Sequence, residues 1–528
     1  MANTNTAHEN LLSSSAQNAI PWMIISKSLL FIIYFLISVI TVRYLGTDQY
    51  GVFVICRSIA DILILVCTLG MTAAYIRFIP ELVVFKNVAG IKRLIRKAFL
   101  IQTIALGIAG IGLYLSQNLI ERHFSIAFNG ALLFTFILMV CELFKTNINS
   151  ILTALYQTKR LALFSSLNGL IWLVGLVILL EKDRSVESVL SAQSFSYALI
   201  YFIAAIILAK YLFTLKWQSP DKAIGYKRVM NHSGSIALTT VVRLLLLKYT
   251  ELFFLGGMQD AATVGLYDLA FSLPMMVIVF IPAAIHELFV SSFSEAYVKK
   301  SDCLPELIRA LYKILIAISI PIAVYGFMFS GDLLVAIYGY EVVSVYELTM
   351  AFCLLHVLPL ISVPLSTAIQ AKEKVMSLFP IIVLQLLVNI ILDYVFIVKM
   401  NLGIWGAFVA LLLTFLLTIP IRLYFVARLL GGIYFPSRFL IRTFFATLAA
   451  SYLVKIVFTP ESAVSIGAFF FVYLGVTFGL CFKLRLFSDA DIADFDVFLG
   501  GKTRRVLKKL RRFIESAKPN HDALNANK

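Results

Sequence analysis

Apolar stretches of roughly 20 residues, the length a helix needs to cross about 30 Å of hydrocarbon, recur along the chain from Ile20 to Phe482. The pattern predicts about fourteen spans: 20–42, 50–75, 98–116, 127–155, 161–180, 189–213, 234–257, 264–293, 313–330, 346–369, 376–398, 403–427, 439–458 and 463–482. The runs are long and continuously apolar, so each satisfies its backbone amides internally, as a helix does. The short alternating strands of an outer-membrane barrel are absent from the pattern. An all-α integral membrane protein follows.

Composition sharpens this reading. Hydrophobic residues fill 60% of 528 positions and charged residues 14%, against about 25% charged in soluble domains; mean hydropathy is +0.92. Residues 1–19 are polar, contain no Lys or Arg and lead straight into a full-length span. They are expected to be a cytoplasmic tail and not a cleaved signal, with the first helix acting as the insertion signal.

The net charge of +16 is unevenly placed. Connections after even-numbered spans carry most of the loop Lys and Arg, among them Arg77, Lys86, Lys92, Arg93, Arg96, Lys97, Lys216, Lys222, Lys227 and Arg228. Those after odd spans carry few, such as Arg43, Arg122 and Lys182. The positive-inside rule then puts both termini in the cytoplasm and requires an even number of spans. Nucleic acid is not needed to explain the charge. The rest lies in a basic tail, 483–528, where Val506, Leu507, Leu510, Phe513 and Ile514 make an apolar stripe backed by Arg504, Arg505, Lys508, Lys509, Arg511 and Arg512. Such a segment suits the anionic leaflet or a solvated tail.

Chemistry-bearing motifs are few. The six cysteines, Cys56, Cys67, Cys141, Cys303, Cys353 and Cys481, form no CxxC pair and fall mostly within apolar spans, which reads as buried small hydrophobes. No Walker loop, HExxH or GxSxG is present. Catalysis by this chain is not expected. His286 and His356 are solitary and read as structural. Prolines at 274, 282, 321, 359, 364, 380 and 420 stand in the later spans, where they are expected to kink helices or are simply tolerated there.

An internal repeat organises the spans. Tyr50-Gly51-Val52-Phe53 matches Val264-Gly265-Leu266-Tyr267 at an offset of 214, and Ala154 to Lys159 matches Thr367 to Lys372 at 213. Six spans separate the matched points, so two lobes of like orientation are expected, 20–215 and 234–427. A basic linker, 216–233, joins them, 439–482 holds two appended spans, and 483–528 is the tail.

The opening Val42-Arg43-Tyr44-Leu45-Gly46, then Tyr50-Gly51, Leu69-Gly70-Met71, Arg77 to Glu81 and Gly403-Ile404-Trp405-Gly406-Ala407 resembles polysaccharide flippases (Wzx-type) of the multidrug/oligosaccharidyl-lipid/polysaccharide exporter superfamily. The resemblance covers roughly residues 20–480. It implies a multi-pass protein of the bacterial inner membrane that moves an undecaprenyl-diphosphate-linked oligosaccharide for surface polysaccharide such as lipopolysaccharide. Membrane lipids and polysaccharide polymerase machinery are the implied partners.

Charges within spans are costly and normally face protein or water. Lys27 early in span one and Arg243 early in span seven stand at nearly equivalent repeat positions. Arg57 and Asp61 share a face at i and i+4, as Lys248 and Glu251 do at i and i+3, and Glu142 and Lys145 are a further internal pair. These pairs admit a bland reading, mutual neutralisation. They also admit a cationic cavity of Lys27, Arg57, Asp61, Arg243 and Lys248 that holds a diphosphate through charge-assisted hydrogen bonds. Asn389 and Asp393 share a face of span eleven. In related lipid-linked peptidoglycan precursor flippases an acid on span seven joins an Asn and an Asp at this spacing in a sodium site. The resemblance assigns Glu251, Asn389 and Asp393 to that role, with a proton carrier or a packed polar cluster as the alternatives. No cofactor is expected beyond a coupling sodium ion or proton. A multidrug or cation antiporter and a membrane glycosyltransferase or ligase are the competing functions. A drug exporter would favour an acidic, aromatic cavity, and a ligase would present a substantial outer loop with paired carboxylates.

Overall fold

The computed structural model describes residues 14–128, 130–214, 225–299, 304–372, 374–432, 434–457 and 463–483. The first tail residues, most of the linker, Cys303 and the basic tail lie outside them, as do the side chain of His286 and its neighbours. Among the described residues the fold is helical throughout, with no strand.

The first helices are α1 (Ser14–Thr68), α2 (Met71–Val84), α3 (Val88–Phe124), α4 (Ala131–Ala154), α5 (Thr158–Lys182) and α6 (Val186–Thr214). Next come α7 (Tyr226–Leu244), a π-helical turn (Leu245–Tyr249), α8 (Thr250–Met258), α9 (Ala261–Lys299), α10 (Leu304–Tyr338), α11 (Tyr346–Leu355) and α12 (Val363–Ala371). The series ends with α13 (Phe379–Asp393), a second π turn (Tyr394–Lys399), α14 (Gly403–Leu430), α15 (Ser437–Val457) and α16 (Ala463–Lys483).

Eleven of the described helical stretches are long and apolar enough to cross a membrane, fewer than the sequence pattern predicts, and the reasons are local. The segments expected at 20–42 and 50–75 are two arms of one helix, α1, broken only at Gly46 (φ 69°, ψ 176°), a conformation open to glycine alone. The second arm stops at Thr68 instead of running to 75, because Leu69 and Gly70 both have positive φ, and Met71 starts a separate helix. The seventh segment is diluted by Arg243, Lys248 and Glu251, and the last is short. Pro274, Pro282, Pro321 and Pro420 do sit inside helices, whereas Pro359 and Pro364 stand in first turns, where the missing amide costs nothing.

The chain divides into two compact units. One comprises Ser26–Leu269 with Phe379–Thr414. Its core joins Met71, Tyr75 and Phe78 of α2 to Ile148 and Ile151 of α4 and Ile200, Tyr201 and Ala204 of α6. Between apolar helices in lipid it is close packing and buried hydrogen bonds that hold such a core, since burial from water adds little. Asn87 caps α3 by accepting from the Gly90 amide at 2.6 Å. Asp260 does the same for α9, accepting from the Thr263 amide at 2.9 Å. That hydrogen bond holds the Asp260 carboxyl below the ordinary aspartate range.

The other unit comprises Met1–Ile25, Ala270–Leu378 and Phe415–Lys528. Tyr325, Phe329, Val454, Ile466 and Tyr473 form its core between α10, α15 and α16. The Tyr325 hydroxyl donates to the Ile466 carbonyl at 2.7 Å, and that of Tyr473 to the Pro321 carbonyl at 2.9 Å. His356 is buried with Nε2 2.9 Å from the Phe271 carbonyl, a structural use of its ring.

Candidate functional site

The first unit concentrates charge that an apolar environment does not tolerate unpaired. Thr250 and Glu251 open α8 directly after one π turn, and Asp393 closes α13 directly before the other. A π turn carries one residue more than an α turn and is frequent at functional sites. Here the two turns flank one cluster. The Asn389 Nδ2 lies 2.7 Å from Asp393 Oδ2, 3.1 Å from Glu251 Oε1 and 3.4 Å from Thr250 Oγ1, and the Thr250 hydroxyl donates to Glu251 Oε2 at 3.1 Å. Glu251, Asn389 and Asp393 are each 0% exposed. Asn389 Oδ1 and Asp393 Oδ1 are buried with no hydrogen-bond partner among the described residues.

Two carboxyl groups, an amide and a hydroxyl with two unmet acceptor oxygens form a set suited to a hard cation or to a shared proton. Among the described residues no Lys or Arg pairs with Glu251 or Asp393, and a carboxylate left without a cation in a dry interior is expensive. The donor chemistry therefore fits a small monovalent ion or a proton as transported cargo. Groups of three or more His, Cys, Asp or Glu with metal-binding geometry are absent among the described residues.

A second network crosses the same unit. Arg57 bridges Asp61 and Glu142 at 2.6 Å each, Glu142 also takes Lys145 at 3.1 Å, and the Lys145 ammonium sits 4.0 Å from the centre of the Tyr197 ring. The Tyr249 hydroxyl donates to Asp61 at 2.8 Å. Lys248 is bonded to Asp268 rather than to Glu251, and Asp268 also accepts from the Tyr50 hydroxyl at 3.0 Å. Arg57, Lys145 and Lys248 thus each meet a carboxylate.

Of the other cavity candidates, Lys27 is half-buried on the first arm of α1, and Arg243 is exposed on α7 with no hydrogen-bonding or ion-pair partner among the described residues. Residues that sequence reasoning missed are Thr250, Tyr249, Asp268 and Tyr50. Asp268 was open to discovery as an acid in an apolar run beside the repeated Val264 to Tyr267, whereas neither π turn has a sequence signature.

Known proteins with solved structures share this architecture. The lipid II flippase MurJ in an inward closed conformation superposes with a TM-score of 0.69 at 14% identity, covering 88% of this chain and 100% of that one. A multidrug resistance MATE family transporter of the MOP superfamily in an inward-facing conformation gives 0.61 at 14% identity, covering 81% of this chain and all of the other. A MOP superfamily transporter from Pyrococcus furiosus, described by the reversed polarity of its binding pocket, gives 0.57 at 14% identity over 82% of this chain and 99% of its own. At such identities the likeness concerns the fold. No curated protein sequence matches the chain. The profile of the polysaccharide biosynthesis protein family, however, matches residues 15–296, more than half of the sequence. The chain therefore belongs to that family, the Wzx-like flippases, and is a multi-pass membrane protein with a MurJ- and MATE-like transporter fold.

Proposed function

We propose that the protein is a cation-coupled flippase that moves undecaprenyl-diphosphate-linked oligosaccharide across the bacterial inner membrane by alternating access, with both termini cytoplasmic, to supply surface polysaccharide synthesis. Family membership supports a lipid-linked substrate. The observation that carries the coupling mechanism is the sealed cluster of Glu251, Asn389 and Asp393 with its two unpartnered oxygens. Occupied by an ion or proton, the cluster loses half of its negative charge; vacated, its two carboxylates repel each other. The two loading states therefore favour different helix arrangements, and only such differential affinity lets a ligand drive a conformational equilibrium.

Substrate binding on this reading begins at Arg243, which among the cavity candidates is exposed and has no carboxylate partner among the described residues. Arg57 and Lys248 are already committed to acids, so a diphosphate would have to displace Asp61, Glu142 or Asp268 to reach them. Polymerase machinery would then receive the flipped product on the outer side, and the chain itself performs no bond chemistry.

The test is transport of a fluorescent lipid-linked sugar in proteoliposomes under imposed sodium or proton gradients. Glu251→Gln and Asp393→Asn should remove the gradient dependence while leaving substrate binding in place. A gradient response equal to that of the native protein in both variants would eliminate the coupling site. Flipping of the lipid-linked sugar by neither the native protein nor any variant, with drug cations exported instead, would replace the substrate.

A further inference from the structure

The matched repeat segments touch each other, and they do so reciprocally. A methyl group built on Gly51 would strike the Ala261 carbonyl and lie 3.2 Å from Ala261 Cα; one built on Gly265 would lie 2.9 Å from the Gly51 backbone and 3.2 Å from the Thr47 carbonyl. At the repeat offset of 214, Thr47 corresponds to Ala261 and Gly51 to Gly265. The contact is thus isologous: residue i of one copy meets residue j of the other, and j meets i. Each copy contributes two small residues four apart, the pattern that lets helix backbones in lipid approach most closely. A pseudo-twofold axis passes through this crossing of the second arm of α1 with the start of α9. Beside it the Tyr50 hydroxyl bonds Asp268, three residues beyond Gly265.

At the other end of the same α1 arm the chain closes differently. A methyl group on Gly70 would meet the Ser233 carbonyl and lie 3.2 Å from the Ala237 amide nitrogen of α7. Arg228 bonds both Glu81 oxygens at 2.9 and 3.2 Å and lies 5.2 Å from the Phe78 ring centre, while His232 packs edge-on against Phe78 at 5.5 Å. One closure is backbone against backbone on the symmetry axis; the other adds an asymmetric latch of side chains to a backbone contact.

We infer that these are the two gates of the transport cycle: Thr47/Gly51 with Ala261/Gly265 seals one face, Gly70/Ser233 with Arg228–Glu81 seals the other, and one must part for each opening. The inference rests on the alternating-access reading above. Its geometry assigns the gates independently of which sugar is carried. Because the axial contact is reciprocal, Gly51→Ala and Gly265→Ala have the same effect, each forcing that end apart while sparing the opposite latch. Gly70→Ala would be a poor probe of the second gate, since its φ of +68° strains alanine in every state; Arg228→Ala releases that latch without strain.

Spin labels in a cysteine-free background, at Asp48→Cys with Met258→Cys for the axial end and Lys86→Cys with Lys227→Cys for the latch, read both gates in nanodiscs without substrate. Expected is loss of the short-distance population at the axial end alone in Gly51→Ala and Gly265→Ala, and at the latch end alone in Arg228→Ala. Gly234→Ala, which adds a methyl group into open space, should change neither. Unchanged axial distances in both glycine variants overturn the proposal. So does failure of both to yield inserted, folded protein, which would mark a permanent crossing. Gates that respond as expected in a protein that moves no lipid-linked sugar uphold the gates and overturn the substrate reading.

Discussion

The Tyr249 hydroxyl donates to Asp61 Oδ2 at 2.8 Å, tying the π turn ahead of Glu251 to the α1 arm that carries Arg57. The hydrogen bond joins the turn ahead of Glu251 to the Arg57 network through one side chain. Tyr249→Phe keeps the ring and deletes the bond, and is expected to cost about 1 kcal/mol in thermal stability. Export should fall while its gradient dependence persists; if coupling itself vanishes, Tyr249 belongs to the cation site.

Glu142 stands between two cations, Arg57 and Lys145. Glu142→Gln leaves both facing one another and is expected to destabilise by roughly 3 kcal/mol, the scale for breaking a buried pair. Adding Lys145→Gln should recover part of the loss, with a coupling energy above about 0.5 kcal/mol in a double-mutant cycle. Simple additivity in detergent melting curves would show that Lys145 and Glu142 act independently.

Cation binding to the Glu251, Asn389 and Asp393 cluster should appear as stabilisation. An ion that binds only the folded protein adds about 2.7 kcal/mol at a hundredfold excess over its Kd. The melting midpoint of the native protein should therefore rise with added sodium if the site loads that ion, or with falling pH if it loads a proton, and that response should be lost in Asp393→Asn. A shift of equal size in the variant would point to ion binding elsewhere.

The α9 cap gives a pH test away from the membrane core. The hydrogen bond from Thr263 depresses the Asp260 carboxyl in the folded state. A depressed acid contributes stability above its unfolded pKa and loses it as pH falls through the folded value. Asp260→Ala should cost about 1 kcal/mol or less at neutral pH. The difference from the native protein should shrink as the solution is acidified below the ordinary aspartate range. A difference that grows instead would contradict the cap assignment.

The chain announces its class through period and composition. The repeat offset of 214 marks Gly51 and Gly265 as equivalent positions, but equivalence says nothing of contact, and that the two glycines meet is seen only in the structure. The i, i+4 spacing of Asn389 and Asp393 is legible because it is confined to one α-helix, and they do contact at 2.7 Å. The i, i+3 spacing of Lys248 and Glu251 misleads, because the π turn from Leu245 to Tyr249 changes the register between them and Lys248 turns to Asp268. Pairings such as Arg57 with Glu142, 85 residues apart, depend on which helices pack together. No local periodicity carries that information.

The break at Gly46 has a practical corollary. The two arms of α1 meet at a single residue, with helix resuming on either side, so the kink has no slack chain. Epitope tags, protease sites and reporter fusions depend on slack. Placed at Gly46 they would prise apart the arm that bears Thr47 and Gly51, and a topology map drawn from such insertions would record damage at this turn where it meant to record location.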